Sequence, residues 1–312
     1  MKHEGVSRPK VVTVGLSNRD YVWGVEAFPP QGSRTPATAY RAGGGGPAAT
    51  AAVVLARLGA EVSLYSLQGD DADGMACLQE LETYGVNTQN VRRLESCQTP
   101  VSAVLVTPAG ERYIFPYKPD VPDTAKDLDF STIATADCVL TDSRYPNLNE
   151  AVLKEAKANG VPIVGDFSNT DNWHLAAYAK YLIVSEECAA QVLGRAEPEA
   201  ALTKLRQFEE QLVGVTLGEQ GFIYEHGAGL RHVPALNVDV VDTTGAGDVF
   251  HGAYAYAVAS GRDAENCGLF ASVAAALSCR ALGARGYLPT AAEVEELLVE
   301  KTAKEMDERS WV

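Results

Sequence analysis

The sequence predicts an α/β protein: a doubly wound, mostly parallel sheet flanked by helices, with a small separate β-sheet. Three observations carry that expectation. From Asp137 onward, short apolar runs at Cys138–Thr141, Pro162–Phe167, Tyr181–Val184 and Val213–Leu217 alternate with helical patterns at Asn149–Asn159, Leu175–Lys180, Glu186–Leu193 and Glu199–Phe208. Parallel strands joined by crossover helices produce that rhythm. Two earlier stretches break it. Tyr21–Tyr40 mixes aromatics with Thr, Pro and Gly, while Pro100–Tyr117 alternates around Thr107-Pro108-Ala109-Gly110 as a hairpin does. Together they predict a separate small sheet from about 21–43 and 99–118. Finally, 312 residues at 46% hydrophobic suit one large domain, residues 1–312, and no repeat or low-complexity segment divides it.

Composition narrows the partners. A net charge of −15 argues against nucleic acid and anionic membrane, though local amides suffice to bind a nucleotide. The 6 cysteines are scattered, without CxxC or His at ligand spacing, which favours reduced thiols in a cytoplasm over a disulfide framework or zinc site. Met1–Gly5 lacks the apolar core of a leader, and no apolar run reaches membrane-spanning length.

In chain order, Val11–Leu16 is a buried strand, and Asp20 follows at the edge where open α/β sheets hold ligands. A hydroxyl ligand and a loop cap are both open for Asp20 from spacing alone. Gly43–Gly46 precede Pro47, which opens a small-residue helix, Ala48–Leu58, closed by Gly59. Glycines there, Gly44, Gly45 and Gly46 above all, allow close backbone approach to a ligand. Glu61–Leu67 is a strand, and Asp71 caps a helix over Ala72–Tyr84. Arg144 follows a strand end, where a planar cation suits an anionic group as well as solvent. Helices are expected at Ala246–Ser260, Asn266–Arg280 and Glu293–Lys304.

The most informative stretch is Val241–His251. Leu236–Val241 reads as a strand end and Ala246–Ala259 as a buried helix, so Gly245 and Gly247 fall where a strand turns into a helix. Amides there lack intrahelical partners and, with the helix dipole, form a pocket for negative charge. Asp248 lies beside it in the first turn. Phosphoryl transfer to an alcohol needs that pair: amides of Gly245, Ala246 and Gly247 for the moving charge, and a carboxylate for the hydroxyl proton.

In full, D-T-T-G-A-G-D-x-F-x-G resembles the signature of the ribokinase-like (PfkB) family of sugar and nucleoside kinases, and the resemblance extends from Val11 to about Leu298. It implies an ATP-dependent sugar kinase in which Asp20 and Gly44–Gly46 bind the sugar, although Ala49 replaces an Asn that the family uses there. It implies that Thr216, Gly218 and Gly221 lie along the nucleotide with Gly245, Gly247 and His251. Ser185 and Cys188 replace key residues of the family's N-x-x-E, so Mg²⁺ is expected to be held mainly through ATP phosphates and water. It implies that the small sheet is a lid over the sugar; a monovalent cation, K⁺, is a further implication near Asp242 and Thr244, as is a homodimer through the lid. Several departures, with Arg144 and Arg34, resemble the bacterial 6-deoxy-6-sulfofructose kinases, whose acceptor is a C1 hydroxyl. Pro116 stands where that subgroup has an Asn. Fructokinase, ketohexokinase, nucleoside kinase and a non-catalytic sugar sensor remain alternatives.

Overall fold

The computed structural model describes residues 8–109, 111–226 and 229–309, and the side chains of 226 and 301–309 lie outside that description. The reading of Met1–Gly5, and Gly110 of the expected turn, therefore lie outside the described residues. Strand β1 (Lys10–Val14), a run of β-branched residues, pairs in parallel with β4 (Glu61–Gly69) on one side and β8 (Cys138–Thr141) on the other. Beyond β4 lies β5 (Val91–Leu94). Beyond β8 follow β9 (Ile163–Phe167), β10 (Tyr181–Ser185) and β11 (Leu212–Thr216), all parallel. The antiparallel strands β12 (Phe222–His226) and β13 (Gly229–Val233) complete a nine-stranded sheet. The winding direction reverses between β1 and β8, so a crevice opens at their carboxyl ends.

Alternation along the strands splits the core in two. Val11, Cys138 and Leu140 pack against α1 (Pro47–Leu58), α6 (Ala246–Ala259) and α7 (Ala264–Ser278), while Val12, Val14 and Val139 face α3 (Pro146–Ala158), α4 (Glu186–Leu193) and α5 (Pro198–Leu205). The small residues of α1 have a packing reason: a Cβ at Gly252 of α6 would stand 3.1 Å from the Ala51 backbone. The lid is a second sheet of β2 (Asn18–Gly24), β3 (Ala39–Gly45), β6 (Val101–Val106) and β7 (Arg112–Tyr117), in the order β3-β2-β6-β7. Helix α2 (Ala72–Thr83) starts at Asp71, whose Oδ1 accepts the Gly74 N–H at 2.8 Å. Helix α8 (Ala291–Arg309) closes the fold, and among the described residues no helix is long and apolar enough to cross a membrane.

Four expectations need correction. Leu236–Val241 is not a strand: residues 234–245 carry no regular structure, and Val241 and Asp242 are anchored by donating their N–H groups to Cys279 O at the end of α7. Pro234 ends pairing after β13, because it has no N–H to offer a ladder. Leu175–Lys180 is a 3₁₀ segment, Trp173–Tyr178, entered through Asn172 at φ 56°. Gly43–Gly45 belong to β3, paired with Asp20, Arg19 and Asn18, and only Gly46 leaves it, at φ 88°. Strands β5, β12 and β13 were not foreseen; β5 is short, and its Arg92-Arg93 breaks the apolar pattern.

Candidate active site

The organising motif enters α6 through Gly245, at φ 76°. A side chain there would meet Ala284 at 2.6 Å, so both conformation and space require glycine. The Ala246 N–H turns back to Thr243 O at 3.2 Å. The N–H groups of Gly245, Gly247 and Asp248 have no partner among the described residues. Three donors are thus left at the positive end of a 14-residue helix, not quite the three expected, since Ala246 is engaged and Asp248 takes its place.

Beside these donors, the half-buried Asp248 carboxylate accepts no hydrogen bond from a described residue. Its pKa is raised to about 8, chiefly by burial and then by the Asp166 carboxylate, with Asp142 and Asp20 adding to the shift and His251 opposing it. Asp166, at the end of β9, is raised by burial and by Asp142, against Arg144. His251 is 3% exposed. Its Nδ1 lies 2.7 Å from Gly247 O and 3.5 Å from Asp166 Oδ2, and its Nε2 is 3.4 Å from Ile183 O. The shorter contact places a proton on Nδ1. Burial lowers the His251 pKa, and the ring sits as a brace beneath α6, outside the lining of the cleft described below.

Asp142 fastens the crevice. Its Oδ2 accepts the N–H of Leu16 at 2.7 Å and of Ala48 at 3.2 Å, and its Oδ1 accepts that of Arg144 at 2.9 Å. Asp142 thereby occupies the Ala48 amide of α1, and the Ala49 N–H donates to Leu16 O at 3.2 Å, so the first amides of that helix are engaged. Gly15 is fixed by the same carboxylate, which lies 1.8 Å from where a Cβ would stand. Asp20 approaches from the lid: Asn18 Nδ2 donates to its Oδ1 at 2.6 Å, and its Oδ2 lies 2.0 Å from a Cβ built at Gly45. Burial raises the Asp20 pKa, and the Asn18 and Ser102 hydrogen bonds oppose that shift. A Cβ at Gly44 would meet Arg285 at 2.2 Å, and one at Gly46 the Leu16 carbonyl at 2.4 Å. The glycines therefore make room for neighbouring protein groups.

A cleft of about 710 Å³ adjoins the free amides. Thr216, Gly218 and Gly221 line one side, Ala246, Gly247 and Phe250 the base, and Leu236, Val238, Val240, Ala275 and Ala276 an apolar wall. Arg112 of the lid also lines it and donates from Nη1 to Thr243 Oγ1 at 3.1 Å. Ser185 lies outside this cleft. Its Oγ accepts the Cys188 N–H at 3.1 Å as the cap of α4 and donates to Ser168 O at 3.3 Å. Asp242 is buried, its Oδ1 accepting the Thr244 N–H and Oγ1–H and its Oδ2 the Gly283 N–H. Arg144 is half-buried between Ser143 at φ 61° and Tyr145 at φ 54°, donates from Nη2 to Ser168 Oγ at 3.3 Å, and keeps a buried Nε with no partner among the described residues. Arg34 lies exposed in the loop joining β2 to β3, away from these groups' hydrogen bonds.

Sequence reasoning missed Asp166, Arg112, Glu80 and Arg285. Asp166 had a readable signal, an acid at a strand's carboxyl end; the others act through pairings between distant segments.

These features match known proteins. The family model described as pfkB family carbohydrate kinase matches residues 8–291. A ribokinase of Bacillus subtilis (strain 168) is 31% identical over 294 residues, covering 92% of this chain and 99% of that protein. An ATP-dependent ribose-1-phosphate kinase of Halopiger xanaduensis is 29% identical, covering 94% and 99%. Among solved structures, Arabidopsis thaliana ribokinase complexed with ribose and ATP superposes with a TM-score of 0.82 at 27% identity, covering 94% and 99%. The fold is ribokinase-like, and the chain belongs to the pfkB family of carbohydrate kinases, phosphotransferases with an alcohol acceptor.

Proposed function

We propose that the protein transfers the γ-phosphoryl group of ATP to a hydroxyl of a sugar bearing an anionic group, with the C1 hydroxyl of 6-deoxy-6-sulfofructose as first choice. The observation that carries the kinase reading is the free Asp248 carboxylate beside three unpartnered amides. ATP lies in the 710 Å³ cleft, its base against the apolar wall and its phosphates toward Gly245 and Gly247. The sugar lies under the lid, between Asp20 and Arg144. Asp248 removes the hydroxyl proton as that oxygen attacks the γ-phosphorus, and the amides of Gly245, Gly247 and Asp248 hold the developing charge. Asp166 is the carboxylate that would help hold Mg²⁺, which when bound through the ATP phosphates and water would supply neutralisation of phosphate charge. K⁺ near Asp242 and Thr244 belongs to the same proposal, as does a cytoplasmic setting.

Arg144 favours the anionic sugar. Its buried, unpartnered Nε leaves a guanidinium that a sulfonate or phosphate would complete. The ribose-1-phosphate kinase relative, named for a charged sugar, supports the class. The relatives named ribokinase support a second reading, a neutral sugar such as ribose or fructose. A coupled ADP assay on 6-sulfofructose, fructose 6-phosphate, fructose, ribose and adenosine separates them. Arg144→Ala is expected to raise KM for the anionic sugar about 10- to 100-fold, the scale of one lost charged hydrogen bond, and to leave neutral sugars nearly unaffected. Equal effects on both remove the clamp.

The lid also supports a homodimer. Tyr21, Trp23, Tyr40, Tyr113, Phe115 and Tyr117 share one face of its sheet, and Phe115 is 60% exposed. An aromatic face of that extent is an association surface.

A further inference from the structure

We infer that residues 282–286 form a strap through which nucleotide binding orders the sugar side of the site, with Arg285 as its positioning residue. The inference rests on the placement of nucleotide and sugar proposed above. Two residues of the strap are keyed to the anion loop. Gly283 donates its N–H to Asp242 Oδ2 at 2.7 Å, and the Ala284 methyl fills the space beside Gly245. The residues that flank these two are keyed to the lid. Leu282 packs on Val22, Val104 and Val106, and Arg41 of β3 donates from Nη1 to Leu282 O at 3.2 Å and from Nη2 to Arg285 O at 2.9 Å.

Arg285 then turns inward and is 4% exposed. Its Nη2 donates to Gly45 O at 3.1 Å, its Nη1 to Glu80 Oε1 at 3.1 Å and its Nε to Thr50 Oγ1 at 3.3 Å. Glu80 Oε2 accepts the Gly44 N–H at 2.7 Å. The ion pair therefore grips an N–H of one glycine and a carbonyl of the next, in the strand against which Asp20 is packed. A planar guanidinium with fixed charge satisfies three acceptors at once, which a lysine ammonium on a flexible stem does not reproduce. Removing Glu80 leaves the buried Arg285 charge unmatched, whereas Glu80 also has Arg19 at 3.5 Å. No other described segment joins the Asp242–Gly245 loop and the Gly44–Gly45 strand by direct hydrogen bonds of this kind. Phosphates that order the anion loop thereby order the strap, and Arg285 transmits that order to residues 41–46.

Hydrogen–deuterium exchange on the full chain tests this without knowing the sugar. The probe is a non-hydrolysable ATP analogue with Mg²⁺. In the wild type, exchange is expected to slow at 242–248 and also at 41–46, the latter by about fivefold or more, the low end of ordinary coupling between sites. In Arg285→Lys and in Glu80→Gln, slowing at 242–248 remains and slowing at 41–46 is lost; if one variant does not fold, the other decides. Wild-type slowing at 242–248 without any at 41–46, or unchanged slowing at 41–46 in the folded variants, overturns the strap while the kinase reading stands. Absence of wild-type slowing at 242–248 overturns the placement of the nucleotide and the strap with it.

Discussion

Charge placement decides the behaviour of individual residues here. At the open end of the sheet Asp166, Asp142 and Asp20 raise the pKa of Asp248, Asp142 raises that of Asp166, and burial raises the pKa of all four. A base must be ionised, so a carboxyl held at about 8 gives a kcat/KM that falls as pH drops from there. The negative charge of Asp166 is part of the cause. Asp166→Asn is therefore expected to move the acid limb of the pH–rate profile to lower pH, whatever happens to its height. A limb that stays in place, or moves upward, removes that electrostatic link. Asp142 behaves otherwise: three amides and the Arg144 charge oppose its burial, as suits a fastener.

At the scale of elements, β3 shows how a glycine run is set by its neighbours. Gly45→Ala would put a methyl 2.0 Å from Asp20 Oδ2, in a strand that cannot retreat because Arg285 grips the Gly45 carbonyl. Thermal unfolding should register a loss of about 1–3 kcal/mol, the usual scale of overpacking. The sugar KM should rise with it; an alanine variant of wild-type stability and KM would show that Asp20 is not held there. The parallel strands, the capping Asp71 and the lid hairpin were legible because each follows from local pattern. The glycine-rich segment was legible as important but not as strand, since its pairing with Asn18–Asp20 is non-local. Leu236–Val241 alternates like a strand yet pairs with no described strand; Val241 gives its N–H to Cys279 O instead. Of the site, the anion loop and Asp248 stood out in the sequence, whereas the Arg285–Glu80 pair joins positions far apart in the chain.

For the whole molecule, the winding reversal between β1 and β8 opens the crevice in which the proposed reaction is placed, and the small sheet stands over it. Asp20 and Arg112 both come from that sheet, so a lid held rigidly over the crevice fixes the proposed sugar ligand and a contact to Thr243 together. The aromatic outer face supplies a means of holding it. Light scattering on the purified chain is expected to give twice the monomer mass of 33.2 kDa, and Phe115→Glu to halve it while raising the sugar KM. A wild-type monomer at micromolar concentration would leave that face without its proposed role.

Asp248→Asn provides the most direct measurement. Its raised folded pKa means that the charged form is disfavoured by folding: the carboxyl costs stability increasingly as pH rises from its unfolded value toward about 8, and the cost is complete above that. The amide removes the cost, so the variant should melt higher than wild type at pH 8 and above. Measured there with saturating ATP and sugar, turnover should fall by about 10²- to 10⁴-fold. A variant that melts higher and turns over at the wild-type rate contradicts the assignment of Asp248 as the base.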